Sequence, residues 1–88
     1  MITAGQMKAA RALLGMDQKK LAELSGISLP TIQRMEASDG AVRGNIDSLN
    51  KVVEALRLAG VELIAEGAWS DSVGRGVRLI NFEARTRD

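Results

Sequence analysis

Apolar residues recur at helical intervals through the first two thirds of the chain and lose that rhythm afterwards. Met7, Ala10 and Leu14, with Leu13 beside them, fall on one helical face, and Thr3 followed by Gln6 has the spacing of a capping box. A first helix is therefore expected from about Ala4 to Leu14, closed by Gly15. Asp17 is placed to cap a short helix over Gln18 to Leu24, with Leu21 and Leu24 three apart and Gly26 soon after. Ser28 is the next cap, Pro30 suits a first turn whose amides have no helical acceptor, and Ile32 and Met35 give the third helix an inward face up to about Ala37. After a loop of turn residues from Ser38 to Gly44, Asn45 is expected to cap a longer helix. Its buried stripe is read as Ile46, Leu49, Val53 and Leu56 with the neighbouring Val52, and Gly60 ends it.

Beyond Gly60 the period changes. Val61 to Ile64 is short, apolar and partly β-branched, Gly67 to Gly76 is small and polar, and Val77 to Phe82 roughly alternates, which predicts two strands. A lone two-stranded ribbon is marginal in water, so these strands need a surface or a second subunit to cover them. Residues 83–88 are polar and charged, and are expected to fray as a disordered tail. The reading is a mainly α fold of four to five helices over residues 1–60, a C-terminal β-hairpin or strand pair over 61–82, and the tail.

Composition narrows the chemistry. The 88 residues allow one compact core, which must be aliphatic because there is one Trp, one Phe and no Tyr. Cysteine and histidine are both absent. Disulfides, thiolate nucleophiles and cysteine zinc sites are thereby excluded, and so are the commonest general base and the preferred transition-metal ligand, so neither an enzyme nor a cofactor or metal is expected. Met1 to Ala10 has no apolar core, and the apolar stretch from Leu56 to Ile64 is broken by Arg57 and Glu62. No signal peptide or membrane span is expected, and a cytoplasmic protein fits. The net charge is +1, with eight Lys or Arg against six acids over residues 1–60 and four against five over 61–88. Bulk charge thus gives only slight support to a nucleic-acid partner.

The pattern from Asp17 to Glu36 is more specific: a short helix carrying Leu21-Ala22, a turn of Gly26-Ile27-Ser28, and a second short helix carrying Ile32 and Glu36. Two helices crossing steeply through so short a turn need a small residue at closest approach, which is Ala22, and a glycine to reverse the chain, which is Gly26. Through Gln18-x-x-Leu21-Ala22-x-x-x-Gly26-Ile27-Ser28-x-x-x-Ile32-x-x-x-Glu36 the chain closely resembles the lambda repressor/Cro-like, or Xre, family of helix-turn-helix regulators, over about residues 3–60. The resemblance implies a double-stranded DNA partner, with Ser28 to Ala37 as the recognition helix in the major groove and the preceding helix crossing the phosphate backbone. On that template Ser28, Leu29, Pro30, Thr31, Gln33 and Arg34 face the bases, and Gln18 is placed to bond a phosphate at a helix N-terminus. Arg34 suits guanine O6 and N7, with a phosphate contact as the alternative, and Gln33 suits adenine. Leu29-Pro30 departs from the polar residues usual in the family, leaving a thymine-methyl contact or simple helix initiation open for Leu29. Lys19, Lys20 and Arg43 are candidate phosphate contacts or solvated surface. The family often pairs an arginine of the first helix with a glutamate ending the recognition helix, so Arg11 and Glu36 are expected to form a structural ion pair.

The family template ends near Gly60. Val61 to Ile64 and Val77 to Phe82 are expected to pair within one chain or across a two-fold axis, and to hold a homodimer together, with Trp69 either anchoring the interface or folding back onto its own core. The leading expectation is a dimeric regulator, a repressor, reading an inverted-repeat operator. The alternatives are the antitoxin of a toxin–antitoxin pair and a protein-interaction module that has lost DNA binding.

Overall fold

Each of the first four helices begins on a side chain that caps it, and three of them end on a left-handed glycine. In the computed structural model, which describes residues 2–85, α1 runs Ala4–Leu14, α2 Gln18–Ser25, α3 Leu29–Glu36, α4 Ile46–Ala59 and α5 Phe82–Arg85. The capping box on α1 is reciprocal: Gln6 N–H donates to Thr3 Oγ1 at 3.1 Å and Thr3 N–H to Gln6 Oε1 at 2.9 Å. Asp17 and Asn45 cap α2 and α4 by accepting from the amides of Lys20 at 2.8 Å and Ser48 at 2.7 Å.

The core is aliphatic. Met7, Leu21, Ile32, Met35, Val52 and Leu56 are sealed from solvent where α2 packs on α3 and α4, and α1 on α3. The N-terminal residues and the loop after α3 close one side: Ala4 N–H donates to Gly40 O at 2.9 Å and Val42 N–H to Ile2 O at 3.0 Å, burying Ile2 and Val42. On α4 the inward face is Val52, Ala55 and Leu56, with Leu49 and Val53 flanking it. Ile46, expected on the buried stripe, lies about 120° round the helix from that face and is 75% exposed. The small Ala55 takes an inward position instead.

Gly26, at φ 70, turns the chain from α2 into α3. A Cβ at Gly26 would meet no atom within 4 Å, so a side chain there is opposed by backbone conformation alone. Gly26→Ala is accordingly expected to cost about 1–2 kcal/mol in urea unfolding and Gly26→Asn less, because asparagine tolerates the left-handed region.

The C-terminal third differs from the sequence expectation. Val61 and Leu63 pack against the core, and Gln6 Nε2 donates to Ile64 O at 2.9 Å, so the glutamine that caps α1 also fastens residues 61–64. Among the described residues this stretch has no strand partner. Among the described residues there is a single isolated antiparallel bridge, Thr3 with Ala41, and no ladder joins Val61–Ile64 to Val77–Phe82. Instead Arg78 donates from Nη1 to Ala68 O at 2.7 Å and from Nη2 to Ala65 O at 2.9 Å, filling carbonyls with a side chain rather than a neighbouring strand. Val73, Val77, Leu79 and Phe82 remain in solvent, so no burial within the chain offsets the entropy of ordering a ribbon. Trp69, 95% exposed, does not fold back onto the core. The expected frayed tail starts instead inside a helix, since residues 83–85 belong to α5, and residues 86–88 lie outside the described residues. Among the described residues no helix is long and apolar enough to cross a membrane.

Candidate nucleic-acid interface

Two short helices and the turn between them present one polar face. Ser28 has extended backbone and caps α3, its Oγ accepting from Thr31 N–H at 3.3 Å, while Pro30 occupies the first turn. Ile32, Met35 and Glu36 point inward and are buried, and Leu29 packs partly against the core. Pro30, Gln33, Arg34 and Ala37 are left on the outward side and are exposed, with Thr31 half-buried at its flank. A helix held by three inward side chains and bare on the other side is anchored as a rigid rod whose outward residues are free for a partner.

Beneath it lies a polar cluster. Arg11 Nε donates to Glu36 Oε2 and Nη2 to Oε1, both at 2.6 Å, a bidentate pair; Arg11 Nη1 also reaches Met16 O at 3.3 Å. The Glu36 side chain is 1% exposed and that of Arg11 20%. Gln18 Nε2 donates to the same Glu36 Oε1 at 3.0 Å. The burial of Glu36 opposes its charge, but the hydrogen bonds from Arg11 and Gln18 and the charges of Arg11 and Lys8 outweigh that, and its pKa falls below the ordinary carboxylate value. Arg11 is held more firmly protonated by its hydrogen bond to Glu36. Every buried side-chain polar atom among the described residues has a partner. The cluster joins α1, α2 and α3 and fixes how α3 sits on the domain.

Gln18 is therefore placed in this network as well as at the start of α2. The family template gives Gln18 a phosphate contact, and nothing in local spacing signals its contact with Glu36 across 18 residues. Lys19 and Lys20 are exposed on the first turn of α2, and Arg43 is exposed in the loop after α3, where its N–H donates to Ser38 Oγ at 3.2 Å. Lys19, Lys20, Arg34 and Arg43 form no ion pair among the described residues, leaving their charge available to an anion. Arg34 Nη2 donates to Thr31 Oγ1 at 3.2 Å, a contact that the i, i+3 spacing permits but does not announce.

The surface hollows elsewhere carry no comparable chemistry. One lies between α2 and α4, lined by Leu24, Asp47, Lys51 and Leu58, and another beside Val53, Gly60 and Leu63. No group of carboxylates among the described residues is arranged to hold a metal ion.

A family model described as helix-turn-helix matches residues 7–63, which take in most of α1, all of α2 to α4, and the docked residues after Gly60. No curated protein and no solved structure matches the chain.

Proposed function

The chain belongs to the Cro/C1-type helix-turn-helix family of DNA-binding transcription regulators, and on that premise we propose that it is a cytoplasmic repressor binding an inverted-repeat operator as a homodimer. The observation that carries this reading is the outward side of α3. Its exposed Gln33 and Arg34 stand on a helix whose other side is locked by Ile32, Met35 and the Arg11–Glu36 pair. In the major groove Ser28, Leu29, Pro30, Thr31, Gln33 and Arg34 face base edges, while Lys19, Lys20, Arg43 and the remaining amide hydrogen of Gln18 meet the flanking phosphates. Few phosphates are neutralised by one subunit, so a second subunit supplies the rest of the affinity.

Fluorescence anisotropy against the chain's own upstream DNA and a scrambled duplex, at one fixed salt, is the direct test. Tight binding to the first, weakened about tenfold or more by Arg34→Ala, is the expected result. Equal weak binding to both would overturn it.

The dimer is proposed to form through the C-terminal segment, where Trp69, Val77, Leu79 and Phe82 stand exposed close together in the chain. A two-fold pair places its recognition helices about 34 Å apart, one turn of DNA. The full chain is expected to sediment as a dimer and a chain ending at Ala68, which keeps Val61 and Leu63 on the core, as a monomer. A full-length monomer would move the same apolar surface to a foreign protein partner, the arrangement of an antitoxin.

A further inference from the structure

Along one side of α3, Ser28 Oγ contacts Thr31 Oγ1 at 2.9 Å and Thr31 Oγ1 accepts from Arg34 Nη2 at 3.2 Å. The three residues stand three apart, on successive turns. Ser28 is itself held by its capping bond from Thr31 N–H, and Thr31 is β-branched, half-buried and stiff about its first side-chain torsion, so the hydroxyl that receives the guanidinium is a fixed post. An arginine on an exposed helix face otherwise samples many rotamers and loses that freedom on binding. We propose that Thr31 is a positioning residue that holds Arg34 ready for the N7 and O6 edge of a guanine, so that each operator half-site carries a guanine read through this pair. The inference rests on the DNA-binding reading above.

The guanidinium itself selects the base, and Thr31 fixes where it stands. Arg34 carries N–H donors alone, and two acceptors side by side are what its fork meets. Guanine offers N7 and O6; adenine sets a donor amino group beside N7, cytosine offers a donor, and thymine one acceptor beside a methyl. A phosphate shares the acceptor chemistry. Arg34, however, lies on the central line of the outward face between Pro30 and Ala37, whose small side chain permits close approach to the groove floor, whereas Lys19, Lys20 and Arg43 stand off that line on α2 and the following loop.

The test begins with duplexes selected from a randomised pool by the full-length protein. Anisotropy at one salt then compares the selected duplex with versions carrying adenine or 7-deazaguanine at each enriched guanine. Thr31→Val is expected to shrink the guanine-to-adenine ratio about three- to tenfold without changing helical circular dichroism, Thr31→Ser to retain it, and 7-deazaguanine to bind like adenine. An unchanged ratio in Thr31→Val, or full binding of 7-deazaguanine, would overturn the proposal. Equal weakening of all duplexes by Arg34→Ala, with a shallower salt dependence, would assign the charge to a phosphate and likewise overturn it while DNA binding stands. If no duplex is enriched or bound, the DNA-binding reading falls first and this inference with it.

Discussion

Glu36→Gln is expected to lower the melting temperature by about 10–20 °C. Breaking a buried ion pair by removing one partner costs about 3–5 kcal/mol. Arg11 keeps some contact with water, so about 2–3 kcal/mol is the appropriate figure here, and each kcal/mol moves a domain of this size by about 4–8 °C. Glutamine is nearly isosteric, but it cannot offer two acceptors to Arg11 Nε and Nη2 while also receiving Gln18 Nε2. One donor is left facing another donor. The acid dependence follows from the sign of the shift. The folded-state pKa of Glu36 lies below its unfolded value, so the unfolded chain binds the proton more readily, and the contribution is complete above the ordinary carboxylate range and lost as pH falls through the lowered folded value. The stability gap between wild type and Glu36→Gln should therefore be widest near neutrality and narrow below about pH 4, as read by thermal melts across pH. A variant melting with the wild type at pH 7 would show that the pair does not hold the domain together. Arg11→Met combined with Glu36→Met is expected to lose less than the sum of the two single changes, because no charge is then left unpaired.

Ile32→Ala is expected to cost about 2–5 kcal/mol, the range for deleting a large aliphatic side chain from a close-packed core. Ile32 is fully buried on α3 and lies in the cluster with Leu21, Met35 and Leu56. A chain of this length has a total stability on the order of 5–10 kcal/mol, so the variant is expected to be partly unfolded at 37 °C. Its DNA affinity falls with the folded fraction, because α3 has no independent stability at eight residues. Gln33→Ala, the adjacent exposed position, is expected within about 0.5 kcal/mol of wild type. Urea denaturation of the two side by side checks the inward and outward faces of α3 directly. Equal stability would contradict the orientation of the helix.

Much of this was legible in residue order because it is local. Caps act over three residues, so Thr3, Asp17, Ser28 and Asn45 mark helix starts wherever they stand, and Gly15, Gly26 and Gly60 mark the ends because only glycine takes the left-handed turn cheaply. The spaced pattern from Gln18 to Glu36 carried the family, since each of its positions answers a steric need of two helices crossing through a short turn. Ile46 stays exposed because periodicity finds a stripe but not the rotation of the helix against its neighbours; the packing of α4 on α2, with Val52, Ala55 and Leu56 inward, decides that. The strand pair expected after Gly60 does not form within the single chain, because alternation measures a tendency and a ladder also needs a partner strand to cover it.

The sequence by itself determined where four helices begin and end and which of their faces are largely apolar, since both follow from contacts within a few residues. Only the tertiary structure decided that Gln18 joins Arg11 on Glu36, that Gln6 reaches across to fasten Ile64, and that Trp69, Leu79 and Phe82 stay in water. Such contacts depend on how helices dock and on which surfaces find cover, and no local rule contains either.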